Sequence, residues 1–159
     1  MNSQKEIKIV EWVELLQSKG AYSFAFESAR RELKGYTEVA LTRALSHLSG
    51  KGKIISVYKG YYLILPPQYA RKGILPPPLF LDDFFQFLGR SYYVSLLSAA
   101  AYHGASHQQP QEYFVMTGFP VMRATQKRGL KINYVSIHRI PAKLLEKRKT
   151  EAGYLFISN

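Results

Sequence analysis

Hydrophobic residues in the first third of the chain repeat every three or four positions, and polar or charged residues fill the spaces between them. This spacing predicts a first helix over residues 3–18, with Ser3 as its N-cap. It also predicts a short second helix over residues 26–33. A third helix is predicted over residues 37–49, because Thr37 is a good N-cap and the leucines after it share one face.

The pattern changes to β-rich runs directly after the third helix. Residues 53–58 and 61–65 are predicted strands, joined by the two residues Lys59-Gly60 in a tight hairpin. Pro66-Pro67 ends the second strand, since proline cannot donate a hydrogen bond to a sheet. Three helices followed by a hairpin indicate a winged helix-turn-helix, in which the third helix enters a DNA major groove and the hairpin, or wing, contacts the backbone.

A proline-rich stretch separates this module from the rest of the chain. Residues 66–78 contain five prolines and Gly73, which predicts a stiff, extended connector. The expected fold class is therefore α+β, with two domains. We expect the winged helix-turn-helix over residues 1–66, the linker over residues 67–78 and a small mixed α/β domain over residues 79–159.

The second half alternates helical and strand-like patterns. Its elements are predicted as follows: helices over residues 79–88, 95–103 and 142–149, an aromatic segment at 92–94, strands over 113–117, 121–123, 131–138 and 154–157, and a basic turn at 127–129.

The composition narrows the classes of partner. The chain has 22 basic and 11 acidic residues, a net charge of +11, which favours nucleic acid or an anionic membrane surface. Cysteine is absent, so disulfides and thiolate chemistry are excluded. The sequence contains no apolar run of the ~20 residues that span a bilayer, and its N-terminus lacks the features of a signal peptide. We therefore expect a cytoplasmic protein that does not bind membranes.

The basic residues form two separate regions. Residues 20–72 carry nine Lys or Arg and three Glu, and residues 123–149 carry nine Lys or Arg and one Glu. In the first region, Arg43 can bond both acceptors of a guanine, and the lysines can bond phosphates. The residues predicted to contact DNA are Thr37, Thr42, Arg43, Ser46, His47, Lys51, Lys53, Tyr58, Lys59 and Tyr61. The second region includes Arg123, Lys127, Arg128 and Lys131, which can contact DNA backbone, RNA or an acidic protein, or form a solvated face.

Catalytic and metal-binding patterns are weak. His103 and His107 are four positions apart, but the glycine between them favours a helix end and no third ligand is apparent. Asp82 and Asp83 are adjacent, so on a helix their side chains point in different directions and make a poor pair for acid–base catalysis. Near the start of a helix, their negative charges instead stabilise the positive end of the helix dipole. No phosphate-binding loop or nucleophile elbow occurs. We expect neither enzymatic activity nor a metal or other cofactor.

Two stretches resemble the AbiEi-type antitoxins of bacterial type IV toxin–antitoxin systems. One is ALTRALSHLSGKGKIISVYKGYYLI from Ala40, and the other is YYVSLLSAAAYHGASHQQPQEYFVMT from Tyr92. The Ser98-Ala99 and Tyr102-His103-Gly104 pattern in the second is the more specific part. Family members continue past a segment like residues 153–159 into a further helical region with an acidic motif, so we expect a shorter or incomplete antitoxin-like domain here.

The resemblance implies an N-terminal domain that binds inverted repeats in its own promoter and represses the operon. It also implies a C-terminal domain that counters a nucleotidyltransferase-type toxin without forming a stable complex with it. By position, the resemblance gives the role of reading DNA to Thr42, Arg43 and Ser46. It gives the role of the wing to Lys53 and Lys59.

Two other functions remain open from the sequence. One is a winged-helix transcription factor whose second domain senses a small ligand in a pocket lined by Tyr92, Tyr102 and Tyr113. The other is an adaptor that binds RNA or protein through residues 123–149. Binding of RNA that survives Arg43→Ala would favour the adaptor.

Overall fold

The protein combines helices with two β-sheets, which confirms the α+β class. The computed structural model describes residues 7–95, 112–140, 145–150 and 153–158. The chain divides into two compact units, Met1–Leu75 and Pro76–Asn159. The division between them falls inside the stretch predicted as a linker.

The first unit contains helices on a small antiparallel sheet. In chain order the described elements are α1 (Ile9–Ser18), β1 (Ser23–Ala25), α2 (Phe26–Glu32), α3 (Glu38–Gly50), β2 (Ile54–Tyr58), β3 (Tyr61–Ile64) and α4 (Pro67–Ala70). The strands lie in the order β1-β3-β2, and β3 pairs with both neighbours.

The apolar faces of α1 and α3 form the core of this unit, as their spacing predicts. Trp12 of α1 lies at its centre, where its ring packs edge-to-face against Phe24 at a centroid distance of 5.0 Å. Its indole N–H donates a hydrogen bond of 2.7 Å to Glu32 Oε2, so the one polar atom of the ring is satisfied. The other buried residues of the two helices are Ile9, Val13, Leu41, Leu45 and Leu48.

The start of α1 differs from the prediction. The helix begins at Ile9, with Lys8 as its N-cap, and Ser3 lies outside the described residues. No side-chain cap comes from Lys8. The Tyr36 hydroxyl instead accepts a hydrogen bond of 3.1 Å from the Ile9 N–H, which satisfies a group that the helix itself leaves free. A long-range partner therefore replaces the local cap that the sequence indicated.

The predicted hairpin is present, and β1 adds a strand to it that the sequence pattern missed. Strands β2 and β3 are joined by Lys59-Gly60, and Gly60 has a φ of +78°, a conformation that favours glycine. The three residues of β1 pair with β3 along its other side. A run of three residues is too short to show an alternation of hydrophobic and polar positions, so the sequence did not predict it. Its pairing places β3 at the centre of the sheet.

The stretch predicted as an extended linker is folded instead. Pro67–Ala70 forms one helical turn and Pro77–Leu79 a 3-10 turn. Ile74, Leu75 and Pro77 are buried. Proline is favoured at the first position of a helix, where its missing N–H costs nothing, so prolines begin both turns and do not extend the chain.

The second unit is a sheet with a helix against it. Its described elements are α5 (Leu81–Leu88), β4 (Tyr92–Val94), β5 (Glu112–Thr117), β6 (Thr125–Lys127), β7 (Leu130–Ser136), β8 (Leu145–Thr150) and β9 (Gly153–Ser158). The order of the described strands is β6-β7-β5-β4-β9-β8. Strands β5 and β7 are parallel, as are β4 and β9, and the remaining neighbours are antiparallel.

Aromatic side chains join α5 to the sheet. Phe85 stacks on Tyr92 of β4 at 4.7 Å and contacts Tyr134 of β7 edge-on at 6.0 Å. The Tyr134 hydroxyl shares a buried hydrogen bond of 2.9 Å with Thr125 Oγ1 of β6. Burial raises the pKa of Tyr134 to about 12, and this hydrogen bond acts in the opposite direction.

Two predicted elements of the second half are wrong. Residues 121–123 form no strand, and β6 begins only at Thr125. Residues 145–149 belong to strand β8, although the sequence favoured a helix over residues 142–149. Pairing with β9 overrides the helical propensity of this Leu-, Glu- and Lys-rich segment. The helix predicted over residues 95–103 lies mostly outside the described residues, and Ser95 itself is not helical.

Candidate nucleic-acid interface

The exposed side of α3 carries the predicted base-contacting residues together. Leu41, Leu45 and Leu48 are buried against the core, so the positions between them face outward. The helix has 13 residues, which corresponds to a length of about 20 Å. We call its exposed side the reading face, and its residues are Val39, Thr42, Arg43, Ser46 and His47.

The turn before α3 fixes where the reading face begins. Thr37 is the N-cap, and its Oγ1 accepts a hydrogen bond of 3.1 Å from the Ala40 N–H. This confirms the cap predicted from the sequence. One lone pair of the hydroxyl is used in the cap, while its hydrogen remains a donor that suits a phosphate.

Thr42 is exposed, but its hydroxyl is already used as a donor. Its Oγ1 donates a hydrogen bond of 2.9 Å to the Glu38 carbonyl, one turn back along α3. Its methyl group and the acceptor side of its oxygen stay accessible. Thr42 is thus suited to accept from a base amino group, whereas donation to a phosphate would first have to break this bond.

The cations on α3 and around the hairpin are exposed and form no ion pair with any described residue. They are Arg43, Lys51, Lys53 and Lys59. Arg30 on α2 shows the contrast, because its guanidinium lies 2.8 Å from Glu27. Cations without acidic partners are free to neutralise phosphates, so this set has the charge that a DNA backbone requires.

The two tyrosines assigned to DNA contact have different positions. Tyr58, at the end of β2, is 42% exposed. Tyr61, at the start of β3, is only 3% exposed and shares a hydrogen bond with Ser23 Oγ of β1. Its assignment to DNA contact is therefore wrong, because the side chain is buried and its hydroxyl bonds a neighbouring strand of the sheet. The unpredicted strand β1 is the reason.

Val39 is a residue of the reading face that the sequence reasoning did not assign to DNA. It is 64% exposed, although it is aliphatic. It lies one turn before Arg43, and residues four apart are neighbours on a helix surface. An exposed aliphatic group can contact the methyl group of thymine in a major groove. The four-residue spacing of Val39 and Arg43 in the sequence could have placed Val39 on the same face of the helix.

The second basic region lies in the second unit, at one end of its sheet. Lys127 and Arg128 lie at the turn between β6 and β7, with Lys131 just after it, and all three are exposed. Arg123 precedes β6 and is also exposed. Glu112 pairs in register with Lys131 and also accepts a hydrogen bond from Asn133, so an acidic group adjoins this region.

The acidic pair at the start of α5 has a structural role. Asp82 accepts hydrogen bonds from the Tyr92 hydroxyl at 3.0 Å and from Gln86 at 2.9 Å. The pKa of the neighbouring Asp83 is raised, first by burial and then by the Asp82 charge. Tyr92 also accepts from the Phe156 N–H, and burial raises its pKa strongly, as expected for a residue packed in the core.

Other candidate chemistry is limited within the described ranges. There, no three His, Asp or Glu side chains come close enough together to hold a metal ion. His103, His107 and Tyr102 lie outside these ranges. Across the same part of the chain, every helix is too short or too polar to cross a membrane.

Comparison with known proteins adds no family assignment. A scan against protein-family models finds no match, and a search of curated proteins finds no similar sequence. The function is therefore inferred from the residues themselves. The most specific arrangement among them is the reading face of α3 with the basic hairpin that packs against the same helix.

Proposed function

We propose that the first unit is a winged helix-turn-helix that binds duplex DNA with sequence preference. The observation that carries this proposal is the position of Arg43, which is exposed in the middle of the reading face and has no ion pair with a described residue. The order α1-β1-α2-α3-β2-β3, with α3 held by a buried leucine stripe, supports it.

In this proposal α3 enters the major groove and Arg43 reads a guanine. A guanidinium presents two N–H groups in a fork that matches guanine O6 and N7, and such a contact discriminates against other bases by roughly 1–3 kcal/mol. Val39 contacts a thymine methyl one turn away. Ser46 and His47, one turn further on, bond base edges or the adjacent backbone.

The basic hairpin supplies affinity that does not depend on sequence. Lys51, Lys53 and Lys59 contact phosphates and release condensed counterions, so binding weakens steeply as salt rises. Phosphate contacts also fix the register of α3 on the duplex. In this way the hairpin positions the reading face, and the reading face selects the sequence.

The wider role that we propose is that of a cytoplasmic autorepressor and antitoxin of a type IV toxin–antitoxin system. It rests on the resemblance of two stretches of sequence to AbiEi-type antitoxins. A promoter with inverted repeats would bind two copies, which places two reading faces about 34–36 Å or a multiple of that distance apart on one side of the duplex. The second unit would counter a nucleotidyltransferase-type toxin without a stable complex.

Fluorescence anisotropy with labelled duplexes tests the DNA-binding proposal. The protein is titrated into its own upstream promoter DNA and into a scrambled duplex of equal length, at about 50 and 200 mM salt. We expect tighter binding to the promoter at both salt concentrations and a steep loss of affinity on both duplexes at the higher one. Equal affinity for the two duplexes would contradict sequence-preferring binding.

The antitoxin role needs a separate test in cells. We expect coexpression of this chain to restore growth to cells that express a nucleotidyltransferase encoded next to it. Arg43→Ala should abolish repression of the promoter and leave this protection intact, because the two roles lie in different units. Failure of the wild-type protein to protect would contradict the antitoxin role alone.

A further inference from the structure

Two parallel strands of the second unit end side by side at one edge of its sheet. Strands β5 and β7 pair in register along their whole length, from Glu112↔Lys131 to Thr117↔Ser136. One more hydrogen bond, from the Ile137 N–H to the Thr117 carbonyl at 2.8 Å, continues the pairing past the last aligned residues. The segments that leave the two strands are therefore held next to each other. Carboxyl ends of parallel strands are where ligands bind in many open sheets.

Two rings stack where these segments leave the sheet. The rings of Phe119 and His138 lie 4.7 Å apart between centroids, with an angle of 26° between their planes. Phe119 is nonetheless 52% exposed, and His138 is also exposed. Exposing much of an aromatic ring is unfavourable in water, so a stack that stays open at the surface suits a ligand with a flat face.

The loop that carries Phe119 is held in place by a charged hydrogen bond. Arg90, just past the end of α5, donates from Nη1 to the Pro120 carbonyl at 2.7 Å. This contact links the helix to the loop, so the ring of Phe119 is presented on a fixed segment of backbone. A site whose aromatic ring is already oriented loses less entropy when a ligand binds.

Exposed arginines flank the stack along the chain. Arg139 follows His138 directly, and Arg123 follows Phe119 by four residues. Both are exposed and form no ion pair with any described residue. Guanidinium groups bond phosphates and also stack on bases. Aromatic rings that stack on bases, together with cationic side chains that bond phosphates, are the combination that recognises single-stranded nucleic acid.

We propose that Phe119 and His138 form a stacking platform for an unpaired base of a single-stranded nucleic acid, whose phosphates contact Arg123 and Arg139. A duplex does not fit this chemistry, because its bases already stack on each other and offer no free face. The platform lies in the second unit and does not use the reading face of α3, so it is independent of the proposed binding of duplex DNA.

The test uses single strands of about ten nucleotides, within the usual site size of such proteins. Each strand carries 2-aminopurine, an adenine analogue whose fluorescence falls when it stacks, and one set is RNA while the other is DNA. The full-length protein is compared with Phe119→Ala, and Val121→Ala serves as a matched control because Val121 is 73% exposed in the same loop but has no ring. Lys53→Ala with Lys59→Ala shows whether the hairpin contributes.

We expect the wild-type protein to bind single strands and quench 2-aminopurine. Phe119→Ala should lower the affinity about 5- to 150-fold and remove the quenching, as the loss of one stacked base predicts. Val121→Ala and the hairpin variant should keep the quenching. Binding of either RNA or DNA fits the proposal, and a preference for RNA would point to a contact with the 2′-hydroxyl.

Two results would overturn the proposal. One is binding without quenching, or with equal affinity for wild type and Phe119→Ala, because the interaction would then depend on charge alone. The other is no binding of single strands by the wild-type protein. Circular dichroism and thermal unfolding of Phe119→Ala establish that the variant is folded, which we expect since the ring is largely at the surface.

Discussion

At the scale of single residues, some polar groups form hydrogen bonds inside the fold, and others are exposed to solvent. The hydroxyls of Tyr61, Tyr92 and Tyr134 all have partners inside their own unit. Arg43 and Lys59 have no ion pair with a described residue and are exposed. The proposed DNA binding depends on the second group, while the first contributes to the stability of the fold.

Replacement of Tyr134 by Phe tests the buried hydrogen bond to Thr125. The change leaves the Thr125 hydroxyl buried without this partner, which should lower the free energy of unfolding at neutral pH by about 1–3 kcal/mol. Denaturant titrations of the wild-type protein and the variant measure the difference.

The difference in free energy of unfolding between the wild-type protein and Tyr134→Phe should also depend on pH. The Tyr134 pKa is raised from 10.0 to about 12, so the folded protein holds this proton more tightly than the unfolded chain. Its stabilising contribution is complete below pH 10 and is lost as pH rises toward 12. The gap between wild type and Tyr134→Phe should therefore narrow above pH 10, and a constant gap would contradict this account.

At the scale of elements, the sequence predicts α3 and the hairpin well because their signals are local. A Thr cap, three leucines on one face and a two-residue loop with glycine act within a few positions of each other. Strand β8 shows the opposite case. Its residues favour a helix by propensity, and only the partner strand β9, reached through Gly153, makes them a strand.

The cap of α3 is the local contact whose loss is most easily measured. Thr37→Ala removes the acceptor for the Ala40 N–H, so we expect the free energy of unfolding to fall by about 1 kcal/mol. Thr37→Ser keeps a hydroxyl in the same position and should cost much less. Equal losses for the two variants in denaturant titrations would mean that the cap does not stabilise α3.

The hairpin should set the salt dependence of DNA binding. Lys53→Ala with Lys59→Ala is expected to weaken binding to the promoter and to the scrambled duplex by similar factors. Since each lost phosphate contact changes the slope of log K against log salt by about 0.9, the double variant should flatten it by nearly two. Anisotropy titrations over a series of salt concentrations give the slope.

Lys127→Ala with Lys131→Ala is the matched control for the hairpin variant. It removes the same charge from the end of β6 and the start of β7 in the second unit. We expect its salt slope to stay close to that of the wild-type protein. A slope as flat as that of the hairpin variant would show that binding follows net charge and not the position of the lysines.

At the scale of the whole molecule, the distance along the chain between paired segments separates what the sequence could and could not predict. Helix α3 and the hairpin are adjacent in the sequence, whereas β1 pairs with the more distant β3, and β4 pairs with β9 across more than 60 residues. Nothing local indicates which distant strands will be neighbours, so the stack of Phe119 on His138 could not be predicted. The exposure of the basic residues was easier to predict from the sequence, because Lys and Arg side chains are rarely buried.

The central claim is that α3 selects the DNA sequence through Arg43. It is tested most directly by how strongly Arg43 variants prefer the promoter over a scrambled duplex. Affinities for the promoter and for the scrambled duplex are measured at one salt concentration with wild type, Arg43→Ala and Arg43→Lys. Lysine keeps the charge but lacks the rigid planar fork with which a guanidinium matches guanine O6 and N7. We predict that both variants lose most of the preference, by about 5- to 150-fold, while Arg43→Lys keeps its affinity for the scrambled duplex. An unchanged preference in Arg43→Ala would contradict the account, since α3 would not be reading the sequence.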